Sequence, residues 1–275
     1  SVVSIEVYML KITRHPDNPI IKPNLDLPWM SEMTMNPGVW YDGETFHMLF
    51  TGRGKDSPMV LGYASSRDGV KFDIRPEPAM VPVKDGEGFD TGTCDDARLH
   101  KFGDTYYITY NARGKHKYRR VGLATTKDFK SFTRHGPLTA QYLSDANVLY
   151  FPETIGGHYW VMHRPSPFQP HTQAISNNPQ FRFHIHMAKT DDFLHWYEDR
   201  PVCGCEYEWE NQKIGGAGVP IKTDAGWLML YHGVYFGPDV HIRTYRVGAM
   251  MLDLEDPTKV IARTPEPIMG PETDY

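Results

Sequence analysis

Two adjacent carboxylates and an arginine stand just ahead of an apolar run at Thr93-Cys94-Asp95-Asp96-Ala97-Arg98. A carboxyl group beside a second desolvated carboxylate holds its proton more tightly and can act as a general acid, whereas a neighbouring guanidinium favours the ion. Adjacent side chains of an extended segment point to opposite faces, so only one of Asp95 and Asp96 can project into a site. The other must anchor a turn or pair with Arg98. A plain surface turn ahead of a strand would use the same residues. Two further polar strand ends follow aromatic runs: Met162-His163-Arg164-Pro165 after Tyr159-Trp160, and Leu230-Tyr231-His232-Gly233 after Trp227. A single histidine at a strand end is ordinarily a structural hydrogen-bonder. Three polar ends at equivalent places in a repeated element point instead to one shared site.

The repeat that would position them is visible. Four segments pair two alternating apolar runs across a turn: Val39 to Phe50, Arg98 to Tyr110, Val148 to Met162 and Val219 to Tyr231. Asp42-Gly43, Gly103-Asp104 and Gly156-Gly157 supply the positive φ that tight hairpins need. Each hairpin is followed by a related strand, in Leu61-Gly62-Tyr63-Ala64, Val121-Gly122-Leu123-Ala124, Ile185-His186-Met187-Ala188 and Val247-Gly248-Ala249-Met250. Ala64, Ala124, Ala188 and Ala249 stand 60, 64 and 61 residues apart. A unit of that length made of short strands is a propeller blade, and blades converge on a central axis where ligands bind. The echo between His15-Pro16-Asp17-Asn18-Pro19-Ile20-Ile21 and Thr264-Pro265-Glu266-Pro267-Ile268-Met269 suggests that strands from both ends close the ring.

Composition limits the function classes. The chain has 275 residues and a formal net charge of −5, which argues against a nucleic-acid partner read by bulk charge. Hydrophobic residues at 40% suffice for a sizeable core, and no apolar stretch reaches the roughly 18 to 20 residues of a membrane span. With no linker of biased composition, residues 1–275 read as a single domain. Cys94, Cys203 and Cys205 make no disulfide framework and favour a reducing compartment. The cytoplasm is therefore expected, and a periplasmic or secreted location would require a removed leader. No second Cys/His pair stands at ligand spacing from Cys203-Gly204-Cys205, so no metal is expected.

In order and spacing, these motifs resemble glycoside hydrolase family 130, five-bladed propeller enzymes that act on β-mannosides by hydrolysis or phosphorolysis. The matching residues are Asn36-Pro37, Gly62-Tyr63-Ala64 with Arg67-Asp68-Gly69, and Asp95-Asp96-Ala97-Arg98 in place of the family's Glu-Asp-Pro-Arg. They continue through Phe151-Pro152-Glu153, His163-Arg164-Pro165, Lys213-Ile214-Gly215, Tyr231-His232-Gly233 and Leu252-Asp253-Leu254-Glu255-Asp256-Pro257. The resemblance implies an all-β, five-bladed propeller and an inverting reaction with Asp96 as general acid, its proton relayed through a mannose hydroxyl.

The nucleophile divides the family. Phosphorylases hold phosphate with Arg, Lys and His, whereas hydrolases need a carboxylate to activate water. Phosphorylases carry a lysine shortly before Phe-Pro-Glu, and the corresponding residue here is Ala146. The stretch Glu206-Tyr207-Glu208-Trp209-Glu210 is rich in acids. Both features favour hydrolysis, with Glu210 the expected base, Glu153 a second candidate, and β-1,2-mannosides the expected substrates. Against this, Arg53, His163, Arg164 and His232 could still hold phosphate, the co-substrate of a phosphorylase and the one cofactor-like species the resemblance implies. The basic run Arg113-Gly114-Lys115-His116-Lys117-Tyr118-Arg119-Arg120 reads as a solvated loop, with an anion-binding lid as its functional alternative. Asn36, Asp95, Arg98, Asn111 and Lys213 complete the expected sugar-binding set, and Trp209, Tyr231 and Tyr235 are expected to contact pyranose faces. The expected partner is a mannose-containing oligosaccharide, in a chain that can self-associate. A propeller lectin, which binds glycans without turnover, is the alternative of a different class.

Overall fold

The computed structural model describes residues 12–84, 88–114, 119–139, 145–166, 183–237 and 243–272, and these form four antiparallel sheets. The first blade runs β1 (Met33–Tyr41), β2 (Phe46–Arg53), β3 (Val60–Ser66), β4 (Asp73–Ile74). The second runs β5 (Thr93–Phe102), β6 (Thr105–Arg113), β7 (Arg120–Thr126), β8 (Thr133–Pro137). The third runs β9 (Leu149–Tyr150), β10 (Tyr159–His163), β11 (Ile185–Thr190), β12 (Trp196–Cys203). In the fourth, β13 (Lys213–Gly216) and β14 (Ile221–Thr223) both pair with β15 (Gly226–Phe236), followed by β16 (Arg243–Leu252) and β17 (Val260–Arg263). The fold is an all-β propeller. The fifth blade that the resemblance implies is not one of these four sheets, and residues 1–11 lie outside the described residues. The two ends of the described chain do meet, since Arg14 donates to Glu272 Oε1 at 3.0 Å and to the Gly270 carbonyl at 2.5 Å. Among the described residues no helix is long and apolar enough to cross a membrane.

Two local devices repeat because the blades share a sequence pattern. Between the third and fourth strands, Asp68, Asp128 and Asp192 each accept two backbone N–H groups at 2.8 to 2.9 Å. The hydroxyls of Ser66, Thr126 and Thr190 complete these Asx turns. The second device is a cross-strand pair in which an aromatic ring covers a glycine: Phe50 opposite Gly62, Tyr110 opposite Gly122, Tyr231 opposite Gly248. The third blade departs from it and places His163 opposite His186. This register also corrects the repeat alignment. Ala64, Ala124 and Ala188 pair with Met48, Ile108 and Val161, but in the fourth blade the matching residue is Met250, opposite Met229. Ala249 falls one residue earlier, and a one-residue step puts a side chain on the other face.

In the second and fourth blades a buried carboxylate and an arginine close over the aromatic ring. Tyr110 donates to Asp90 Oδ2 at 3.0 Å, and Arg134 pairs with the same carboxylate. Likewise, Arg263 donates to the Tyr231 hydroxyl at 3.0 Å and to Glu210 Oε1 at 2.7 Å. Neighbouring blades are tied by buried polar bonds as well as apolar side chains. His100 accepts from the Tyr150 N–H at 2.9 Å, and burial pushes its imidazole down to about 3, so it stays neutral.

Candidate active site

Near the start of the innermost strand of three blades stands an Asx residue in the left-handed region: Asn36 (φ 49°), Asp96 (φ 55°) and Asn147 (φ 58°). At the first two the strand register slips, between Met35 and Gly38 and between Asp95 and Arg98. A bulge with a left-handed residue re-aims a side chain that plain alternation would send elsewhere, and Asn and Asp tolerate the conformation better than most residues. The bulge sends the two aspartates to different partners, and it is Asp96, facing the cations, that pairs with Arg98. Asp95 accepts the Thr93 hydroxyl at 2.9 Å, and desolvation raises its carboxyl. The Asp96 N–H donates to Thr51 Oγ1 at 2.9 Å, which fixes the bulge against the first blade. Its carboxylate accepts from Arg98 at 2.6 Å and from Asn111 at 2.8 Å. Desolvation pushes the Asp96 carboxyl up, but the charge and hydrogen bond of Arg98, with His232 and Arg119 beyond, more than offset it and leave the pKa lowered.

Facing this carboxylate is a cluster of cations. Arg164, 4% exposed, donates from Nε to Asn147 Oδ1 at 3.1 Å. Desolvation and then the Arg119 charge lower its guanidinium to about 10. Lys213 begins β13, with its ammonium 5.1 Å from the Tyr245 ring centre. Desolvation, together with Arg164, Arg119 and Arg243, depresses it to about 7 despite the opposing pull of Asp96. His232, on β15 opposite Gly215, is held neutral down to about 3 by desolvation and by Arg164, Lys213 and Arg98. Gly215 is required where it stands, because a Cβ there would lie 2.6 Å from Asn147 Oδ1 and 2.8 Å from His232 Cε1. A cavity of about 200 Å³ opens beside His232 and Tyr245. Several cations crowded until their own charges become costly form a site that an anion would relieve.

Asp96, Asp95, Arg98, Asn111, Arg164, Lys213 and His232 are thus brought together. Asn36 holds the equivalent bulge in the first blade and is exposed. Arg53 lies 3.7 Å from Glu32 at the end of β2. Six expected residues lie outside this group. Glu210 is fully buried, and its Oε1 accepts the N–H groups of Glu206 and Tyr207 at 2.8 and 3.1 Å besides Arg263, so it caps a turn and closes the fourth-blade triad. Trp209, in the 3-10 turn Glu208–Glu210, packs on Tyr231 and donates to the Pro265 carbonyl at 2.9 Å; both rings are buried in the fourth blade. His163 has both ring nitrogens engaged, by Asp145 at 2.8 Å and Asp199 at 3.1 Å. The second base candidate, Glu153, pairs with Lys222 on the surface. Tyr235 lies farther along β15, beneath the guanidinium of Arg246 at 5.9 Å.

Among known proteins, the family model described as beta-1,4-mannooligosaccharide phosphorylase matches residues 11–275. The chain belongs to glycoside hydrolase family 130. It is 33% identical over 278 residues to a 1,2-beta-oligomannan phosphorylase of Thermoanaerobacter sp. (strain X514), covering 97% of this chain and 85% of that protein. A beta-1,2-mannobiose phosphorylase from the same strain is 32% identical over 284 residues, with the same coverage. The structure of the Listeria innocua beta-1,2-mannobiose phosphorylase in complex with beta-1,2-mannobiose superposes with a TM-score of 0.78 at 27% identity, covering 95% of this chain and 85% of that one.

Three members of this cluster escaped sequence reasoning. Asn147 sits next to Ala146, whose lost cation drew attention away from it; its signal was the Asx position that Asn36 and Asp96 share. Arg119 is the penultimate residue of the basic run otherwise read as solvated loop, and residues 115–118 of that run lie outside the described residues. Its carbonyl accepts the Asp145 N–H at 3.2 Å, and its charge reaches Asp95, Asp96, Arg164 and Lys213, beside the place where Ala146 leaves no cation. Tyr245, 49% exposed, comes from β16, and nothing in its local sequence marks it.

Proposed function

We propose that this protein is a β-mannoside phosphorylase that transfers a terminal mannosyl group, most readily from a β-1,2-linked oligosaccharide, to inorganic phosphate. The cationic cluster facing Asp96 carries this reading, because a phosphate dianion needs charge-assisted donors and a water molecule does not. The relatives named above are phosphorylases, which supports the same choice. The hydrolytic reading leaned on Ala146 and on the acid-rich stretch 206–210. Arg119 supplies a cation near the first, and Glu210 is engaged in a blade triad.

In the proposed reaction a phosphate oxygen held by Arg164, Lys213 and Arg119 attacks the anomeric carbon from the face opposite the leaving group. The glycosidic C–O bond breaks, its oxygen takes up the proton that Asp96 supplies, and configuration inverts. The cations hold the Asp96 carboxyl low, so it must take up a proton from solvent before it can act. Phosphate binding provides for that, since a dianion among the cations cancels the charges that hold the carboxyl low and adds a negative neighbour that raises it. Acid function is thereby coupled to the presence of the nucleophile.

Incubation with β-1,2-mannobiose, with and without phosphate, tests this. Mannose 1-phosphate formed only with phosphate is the expected result. Free mannose released at the same rate in both conditions would restore the hydrolase, and binding without turnover of this or β-1,4-linked substrates would favour the lectin.

A further inference from the structure

His163 was singled out by its motif, yet the proposed reaction does not use it. Its surroundings differ from those of its counterparts in the other blades. The second and fourth blades close their aromatic-on-glycine pair with a carboxylate and an arginine, Asp90 and Arg134 or Glu210 and Arg263. The third blade keeps the carboxylate as Asp145 but replaces tyrosine by His163, glycine by His186 and the fourth-strand arginine by Asp199. One structural triad has become two imidazoles and two carboxylates, and the arginine that balanced charge elsewhere is gone.

We infer that His163, His186 and Asp199 form a binding site for a divalent transition-metal ion of the zinc class. Their donor atoms all lie within 4.8 Å of one another. Asp199 Oδ1 stands 3.1 Å from His163 Nε2 and 3.1 Å from His186 Nδ1. Zinc bonds to nitrogen and oxygen of about 2.0 to 2.1 Å give a tetrahedral edge of about 3.3 Å, so the donors are nearly spaced for the ion. Asp145 backs the far side of the His163 ring. It is buried, accepts the Ala146 and Arg164 N–H groups at 2.7 and 3.1 Å, and meets His163 Nδ1 at 2.8 Å. A buried carboxylate on the far nitrogen of a histidine fixes the tautomer that presents Nε2, the usual support of a metal-bound imidazole. The donors come from three adjacent strands, β10, β11 and β12, where the register slips between Met187 and Lys189 and Glu198 takes φ 53°. Asp199 is half exposed, leaving solvent access for a water ligand. No local sequence spacing records such a site, which explains why none was expected.

The test uses the whole chain, stripped with chelator and dialysed against Zn²⁺ or Co²⁺ at neutral pH. One equivalent of metal per chain is expected, with the visible absorption of tetrahedral Co²⁺ that Zn²⁺ displaces. His186→Ala and Asp199→Asn should each weaken binding at least tenfold, while His195→Ala, at an exposed histidine beside Asp192, should not. If His186→Ala fails to fold, Asp199→Asn, at a half-exposed position, carries the test. Absence of stoichiometric binding, or equal binding by wild type and both site variants, would overturn the assignment and leave a hydrogen-bonded network only.

Discussion

Asp96 and Glu210 are both desolvated carboxylates gripped by an arginine, yet they differ in kind. Glu210 is sealed inside the fourth blade, where Arg263, two backbone N–H groups and the Tyr231 hydroxyl make it one part of a triad that Asp90, Tyr110 and Arg134 repeat in the second blade. Asp96 sits in a left-handed bulge at the axis, its side chain 12% exposed and directed toward Arg164, Lys213 and His232. A buried carboxylate with an arginine partner is thus no mark of catalysis by itself. What separates the two is whether the second partner is a fixed structural group or a space that a ligand can enter.

Substitution should divide them cleanly. Asp96→Asn keeps the shape and the Asn111 contact but removes the transferable proton, so turnover should fall by roughly 10² to 10⁴ with mannobiose affinity retained. Steady-state kinetics beside a binding isotherm checks this, and unchanged turnover would remove Asp96 from the mechanism. Glu210→Ala leaves the Arg263 guanidinium buried without its carboxylate and should cost about 3 to 5 kcal/mol of stability. Denaturant unfolding reads that loss, while kcat per folded molecule should stay near wild type. A selective fall in kcat would return Glu210 to the site.

The contrast also shows what could be read from the sequence. The blade repeat was legible because strand alternation and turn residues are local; Asp96, Arg164 and His232 were legible as polar residues beside apolar runs that the repeat aligns, and Lys213 only through the family resemblance. Glu210, Trp209 and Tyr231 were misplaced because sequence shows that a residue lies near a strand end but not which layer of the blade it enters. Trp209 reads as loop, and a short 3-10 turn folds it against Gly233, where a Cβ would lie 2.8 Å from the indole Cε3. Arg119 depends on contacts between blades, and Tyr245 on pairing across the fourth sheet to Lys213 and His232, which no single segment encodes.

The cation side yields smaller effects. Arg119→Ala should raise the KM for phosphate about tenfold, while Arg119→Lys restores part of it and the KM for mannobiose holds steady. An unchanged phosphate KM would leave Arg119 a bystander to the anion.

Lys213 yields the finest distinction, because its depressed pKa has opposite consequences for folding and for binding. Its folded value of about 7 lies below the ordinary lysine value of 10.5. Between those values the unfolded chain holds the proton that the folded chain has lost, so this residue's contribution to stability rises with pH through that window. Below about pH 7 both states are protonated, and the cost of burying the charge is fully present. Lys213→Met should therefore raise Tm by a few degrees at pH 6 and by less at pH 9, as calorimetry at the two values would show. Phosphate binding should change the other way, since an anion needs the protonated amine. Its affinity should weaken as pH rises above 7, up to about tenfold per unit before phosphate itself restores the charge, and Lys213→Met should bind weakly with a flatter pH profile. If the variant were no more stable at pH 6 yet bound phosphate as well as wild type, the ammonium would belong with Glu210, as a group the fold keeps for itself.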